Sequence, residues 1–374
     1  FEAAADADAG DAAADGTADA GAGAPPPPPS AADEAASLLR AARARADGRG
    51  RLVVTFVTAA YDVLCDNFVR HLAALDLRAY LLVTFDRAQH DRLERRGEPV
   101  YLRLLPQLKS GGSDQFASRD FFLINSARYA VLIALLRGGV HVLNMDLDAA
   151  LLRDPFAVLA APPHDQYELL LQSDARDALS LTESSPYLLR ERLKLPNASS
   201  VTYVNGGVFF ARGTPAVARL FEDAWSLVSQ DLGTLNEQDC LNRLLIASQL
   251  RWAPLPPALF PNGYVYFRRP LPPSAQAHGG PVLIHANWIN GIVAKRYLLR
   301  EARVWLADEG RAGAAPPAAV SGPNGSTSGG GDGGRYLAYV VPAGGRSLVE
   351  QMAALRGALA LSRIANRSLI LSPF

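Results

Sequence analysis

Two aspartates at i and i+2, Asp146 and Asp148, follow directly on the apolar run Val140–Met145. Just beyond a strand, that spacing lets both carboxylates reach one divalent ion. Carboxylate oxygens suit Mg²⁺ or Mn²⁺, ions that proteins commonly share with substrate phosphates. A second group lies far downstream, where His285 follows the apolar run Pro281–Ile284. An imidazole at the end of a strand can complete a metal site whose other ligands are oxygens. Gly291 then allows close backbone approach, and Lys295 offers a compact positive charge to a diphosphate. Each group also has a plainer reading, as a loop or capping aspartate or as a hydrogen-bonded structural histidine.

Three further patches carry polar groups at positions where chains often turn. Leu169–Leu171 reads as a strand that ends in Gln172, Ser173 and Asp174. Asn205-Gly206-Gly207, set between apolar residues from Tyr203 to Phe210, reads as a tight turn. Leu235-Asn236-Glu237-Gln238-Asp239 opens a helix running to about Leu250. Other features are set aside. The glycine run 329–334 lacks a preceding strand and a following Lys-Ser/Thr, so it is not a phosphate loop. Trp225, Trp252 and Trp305 read as core anchors, and Arg92, Arg95 and Arg96 as the solvent face of a charged helix.

The elements that must position these groups alternate between strand and helix. Apolar runs at Leu52–Thr58, Tyr80–Phe85, Val100–Leu105 and Val140–Met145 read as strands. Helices are predicted at Asp66–Leu75, Arg87–Arg96 and Ser118–Arg137, the last stopped by Gly138-Gly139. This alternation predicts a mainly parallel α/β sheet, in which ligands bind at the carboxyl ends of strands. The chain has 374 residues, 49% of them hydrophobic, enough for two domains with tails. Residues 1–34 hold eight acids and no base, so the remainder carries 37 basic against 29 acidic residues. A moderately basic body suits an anionic small ligand, and the lack of a Lys/Arg block excludes a nucleic-acid binder.

Residues 1–48 read as a solvated, disordered Ala/Gly/Asp/Pro-rich stem, 49–311 as the catalytic domain and 312–334 as a flexible linker. Residues 335–374 restart the pattern as the first βαβ unit of a truncated second α/β domain, with a helix over Ser347–Ala365. Two cysteines, Cys65 and Cys240, exclude a disulfide scaffold and a Cys-based zinc site. The mid-chain apolar stretch Tyr129–Leu136 is too short to cross a bilayer, so any membrane anchor is expected outside this segment. Sequons at Asn197, Asn324 and Asn366 are consistent with a secretory compartment.

Taken in order, the pieces resemble the nucleotide-diphospho-sugar transferase domain of glycosyltransferase family 77. The resemblance runs from about Leu52 to Leu306. It is carried by Thr55–Tyr61, the Asp-Leu-Asp with Leu-Arg-Asp-Pro at 145–155, and Gln-Ser-Asp at 172–174. Asn-Gly-Gly-Val-Phe-Phe-Ala-Arg at 205–212, Asn-Glu-Gln-Asp at 236–239 and His285 through Lys295 complete it. Gln351–Leu371 looks like the segment that follows this domain in plant and algal extensin arabinosyltransferases. The resemblance implies a GT-A fold, a Rossmann-like mainly parallel sheet flanked by helices, with Mn²⁺ (or Mg²⁺) and a UDP-sugar donor. It also implies retention at the anomeric carbon. Asp146, Asp148 and His285 would hold the metal, while Thr58, Tyr61, Asp146, Gly291 and Lys295 would meet the donor. Gln172, Asp174, Glu237 and Asp239 are candidates for the catalytic sugar and acceptor pocket. The implied acceptor is a hydroxyproline-rich glycoprotein or cell-wall glycan. The implied location is the Golgi lumen, with a type II anchor upstream of Phe1.

Two other readings share these residues. A haloacid-dehalogenase-like phosphatase also places Asp-x-Asp after a strand. That family expects Thr or Val at position 150, here Ala150, and a later Gly-Asp-Gly that here falls in the linker. A non-catalytic sugar-nucleotide binder would keep most of the same side chains.

Overall fold

Strands rich in Val and Leu form where the apolar runs predict them. β1 spans Arg51–Val57, β2 Tyr80–Thr84, β3 Val100–Leu102 and β4 His141–Met145. Helices α2 (Asp62–Ala74), α3 (Arg87–Arg95) and α4 (Arg119–Arg137) separate them, after an N-terminal helix α1 (Ala31–Arg45). The computed structural model describes residues 30–105, 119–176, 181–230, 236–268, 279–308, 336–339 and 368–371. After β4 come β5 (Ala149–Leu151), α5 (Pro155–Leu159) and β6 (Leu169–Ser173). The short pair β7 (Thr182–Glu183) and β8 (Val201–Thr202) precedes β9 (Val204–Ala211), α6 (Pro215–Gln230) and α7 (Glu237–Ala247). The domain closes with β10 (Trp252–Leu255), α8 (Gly263–Arg268), β11 (Leu283–His285) and α9 (Ile292–Glu301).

Among the described residues, one seven-stranded sheet has the order β10-β6-β9-β4-β1-β2-β3. β9 runs antiparallel to both β4 and β6, and the other neighbouring pairs are parallel. Strands buried on both faces alternate their side chains between two cores. In β1, Leu52 and Val54 pack with α1, α4, α6 and α7, whereas Val53 and Val57 pack with α2 and α5. Helices therefore cover both faces, as the alternating pattern predicts. Cys65 and Cys240 are buried in opposite cores and form no disulfide.

The structure departs from the sequence reading at three places. Asn205-Gly206-Gly207 forms no tight turn, because it lies within β9, paired to β4 and β6. Arg92 and Arg96 do not simply face solvent: they pair with Asp62 and Asp66 of α2 and fasten α3 to it. The disordered stem drawn to residue 48 does not hold beyond residue 29. Ser30 caps α1 in a reciprocal box with Asp33, and Leu38 and Ala42 are buried in the core. Gly138 serves this docking, since a Cβ there would crowd the Leu39 side chain. Residues 1–29, the linker 312–334 and the helix read at Ser347–Ala365 lie outside the described residues. On either side of that stretch of sequence, β12 (Tyr336–Tyr339) and β13 (Ser368–Leu371) pair in parallel.

If α1 belongs to the folded domain, truncating its core contact must cost stability. Leu38→Ala is expected to destabilise the chain by about 2–5 kcal/mol in urea denaturation. A solvated stem would leave the midpoint where it is.

Candidate metal centre

The sheet opens at the carboxyl ends of β1, β4 and β6, and reversed β9 brings its amino end to the same edge. Beyond Met145 the Asp146 N–H still donates to Gly207 O at 2.9 Å. Ala149 N–H then donates to Asp146 O at 3.0 Å, which turns the chain back into β5. β5 pairs antiparallel with β11, His285 opposite Ala149, in a two-stranded ribbon outside the main sheet. Ala286 N–H donates to Asp148 O at 3.0 Å and locks the register. This ribbon is what brings His285 to the acidic pair.

Ligand atoms of Asp146, Asp148 and His285 all lie within 4.8 Å of one another. His285 Nε2 is 3.2 Å from Asp148 Oδ1 and 3.9 Å from Asp146 Oδ2. The other ring nitrogen fixes the tautomer. Gln172 Nε2 donates to the carbonyls of Phe260 and Pro261, both at 3.1 Å, so its Oε1 is the acceptor facing His285 Nδ1 at 2.7 Å. Nδ1 therefore carries the proton in the neutral ring, and the Nε2 lone pair points at the carboxylates. Two carboxylates and an oriented imidazole are a fitting donor set for Mn²⁺ or Mg²⁺.

The electrostatics are balanced by two cations. Lys295, one turn into α9, places Nζ 2.6 Å from Asp148 Oδ2. Burial pushes the Asp148 pKa up, but Lys295 and His285 overcome it and hold the group well below the usual carboxylate range. For His285, burial lowers the pKa, but Asp148 and Asp146 together raise it above the ordinary value. Arg128, midway along α4, donates from its guanidinium to Asp146 Oδ1 at 2.7 Å.

The donor-side candidates sit around this centre. Thr58, at the carboxyl end of β1, has a buried hydroxyl with no hydrogen-bond partner among the described residues. Tyr61 closes the 3₁₀ turn that follows and lies within electrostatic reach of Lys295. Gly291 caps α9 at φ +82°, with nothing within 4 Å of a Cβ, so its glycine answers to backbone conformation. Gly207 answers to space: a Cβ there would lie 2.8 Å from Asp146 Cγ.

The four catalytic candidates divide. Gln172 is fully buried and orients His285, so it is a positioning residue. Asp239 is also fully buried, held by Arg192 Nε at 2.7 Å and the Tyr203 hydroxyl at 2.8 Å. It fastens α7 to the segment before β9 and is structural. Asp174 accepts from Asn287 Nδ2 at 2.9 Å, Trp288 Nε1 at 3.0 Å, Gln238 Nε2 at 3.1 Å and Asn205 Nδ2 at 3.4 Å. Four donors occupy its lone pairs, and burial pushes its pKa up to about 6. Asp174 is thus a hub. Glu237, in the first turn of α7, keeps a raised pKa through burial, with the charges of Arg128 and Asp146 nearby. Sequence reasoning missed Arg128, although a lone charge inside an apolar helical run was a readable signal. It also missed the hub partners Asn287 and Trp288, which lie inside the motif that was read.

A sequence profile for nucleotide-diphospho-sugar transferases matches residues 76–299. UDP-D-xylose:L-fucose alpha-1,3-D-xylosyltransferase 3 of Arabidopsis thaliana is 28% identical over 215 residues, covering 54% of this chain and 52% of the relative. Arabinosyltransferase XEG113 of the same plant is 23% identical over 353 residues, covering 86% of this chain and 50% of the relative. The chain thus spans about half the length of these curated relatives. A crystal structure of the galactosyltransferase LgtC with donor and acceptor sugar analogs covers 68% of this chain and 95% of its own. It shares 13% identity at a TM-score of 0.41, too distant to argue from.

Gln172→Leu removes the acceptor that orients His285. Mn²⁺ affinity, measured by titration calorimetry, is expected to fall about 10–100-fold. Unchanged affinity in a folded variant would show that the histidine does not bind metal.

Proposed function

The chain belongs to the nucleotide-diphospho-sugar transferase family, of the glycosyltransferase family 77 type, and we propose that it has a GT-A fold and moves a pentose or hexose from a UDP-sugar to an acceptor hydroxyl with retention. The observation that carries this reading is the convergence of Asp146, Asp148 and His285 Nε2 beside Lys295. Those three side chains would hold Mn²⁺ or Mg²⁺, which supplies charge compensation for the departing diphosphate. Lys295 adds a fixed positive charge at the same place, stabilising the leaving group more as its bond breaks than before. Arg128 holds Asp146 in place through its guanidinium. Glu237, near the charges of Arg128 and Asp146, is the carboxylate we assign to the side where the sugar would become oxocarbenium-like.

Arabinose is the favoured sugar, supported by the length of the match to the arabinosyltransferase, although the xylosyltransferase is the more identical over a shorter span. The acceptor class we propose is a hydroxyproline-rich glycoprotein or cell-wall glycan, and the location the Golgi lumen, both carried over from the motif resemblance. Asn197, in an exposed turn before β8, supports a glycosylating compartment. Among the described residues no helix is long and apolar enough to cross a membrane.

UDP release from UDP-arabinofuranose, UDP-xylose and UDP-galactose should require Mn²⁺ and stop with EDTA. Asp148→Ala is expected to lower kcat/KM by about two to three orders of magnitude, the loss of several kcal/mol of charge stabilisation. UDP binding without turnover on any donor would favour the non-catalytic binder, and phosphate release from monoesters the phosphatase.

A further inference from the structure

Trp288 is a large aromatic residue that the core does not use. It lies three positions beyond His285 and is 43% exposed. Its backbone adopts φ +59°, a left-handed conformation that a bulky side chain holds only when its surroundings impose it. The surroundings here are specific. The indole N–H donates to Asp174 Oδ1 at 3.0 Å, and the Tyr264 ring meets it edge-on, with centroids 5.9 Å apart. Asn287, the preceding residue, donates to the same Asp174 oxygen and accepts from Gly263 N–H at 2.7 Å. The loop is thus tied to β6 and α8 at once. The Arg176 guanidinium lies 5.7 Å from the indole centroid.

Its place in the sheet identifies what it meets. The metal ligands lie at the end of β4, and the donor-side residues Thr58 and Tyr61 lie toward β1. Asp174 and Trp288 lie on the other side of β4, over the end of β6. A donor laid across β1 and β4 leaves that side for the second substrate. A half-exposed indole offers a flat apolar surface beside a guanidinium. A sugar ring is the matching shape, with C–H bonds on its face and hydroxyls at its rim.

We propose that Trp288 is the platform on which a sugar ring of the acceptor stacks, held in place by Asp174 and with the Arg176 guanidinium over one face of the indole. The assignment deepens the glycosyl-transfer reading and rests on it for the word acceptor. Glycan-bearing acceptors are therefore the substrate class, in preference to a bare peptide.

The test uses the full chain with Mn²⁺ and UDP, and methyl α-L-fucopyranoside and methyl L-arabinofuranoside as probes. Saturation-transfer NMR should show magnetisation passing from aromatic protons to the C–H protons of at least one glycoside. That signal should vanish in Trp288→Leu and persist in Trp288→Phe, which keeps the ring face and loses only the N–H. In transfer assays the acceptor KM should rise at least tenfold in Trp288→Leu, the donor KM should move less than threefold, and Trp288→Phe should restore most of the loss. UDP affinity by calorimetry confirms that each variant is folded. No saturation transfer in the wild type, an equal signal in Trp288→Leu, or transfer to a glycoside acceptor indifferent to Trp288→Leu would overturn the platform. Failure of every UDP-sugar to turn over, with the NMR difference intact, would instead sink the transferase reading and leave a sugar platform standing.

Discussion

A carboxylate can leave water only where positive charge or hydrogen-bond donors replace the solvent it loses. Asp148 is 6% exposed, and its replacements come from far down the chain: the ammonium of Lys295 and, in its protonated form, the imidazolium of His285. Everything at this edge of the sheet follows from supplying those two groups. The β5–β11 ribbon exists beside the main sheet and delivers His285 opposite Ala149. The turn at Gly291 starts α9 so that Lys295 arrives one turn later. Asp146 is served separately, by Arg128 from α4.

The same demand for compensation runs through the polar groups behind the candidate metal cluster. Gln172 spends its amide hydrogens on Phe260 and Pro261 and its oxygen on His285. Asp174 gathers donors from β9, α7 and the loop after β11. Such fully partnered networks hold ligands within the tolerance that chemistry needs. They also explain why residues that look catalytic in a motif serve here as fixtures.

Much of this was legible in the sequence, and unevenly so. The parallel strands and their helices announced themselves because buried strands need predominantly apolar runs, as at 52–57 and 141–145. The candidate metal-binding cluster was legible because carboxylate and imidazole chemistry is local to the residue. What escaped depends on tertiary partners. Two adjacent glycines signal a turn by local rules, but Gly206 and Gly207 sit within β9, where close approach of the Asp146 carboxylate explains Gly207. The Ala-rich segment at 31–45 lacks the apolar content of a helix stable alone, yet Leu38 and Ala42 find a core to enter. Gln172, Asp174 and Asp239 were readable as polar groups at strand and helix ends. Their roles were not, since a role is set by which atom faces which partner.

The crowding at Gly207 has a consequence for inheritance. A glycine codon cannot change its meaning by one nucleotide without adding a side chain or stopping the chain, and any side chain there pushes into Asp146 and Asn205. Drift at this position is therefore nearly closed, while neighbouring Val208 and Phe209, set among other apolar groups, can exchange for similar shapes. In a lineage of such chains, this one smallest residue marks whether the acidic pair is still in use.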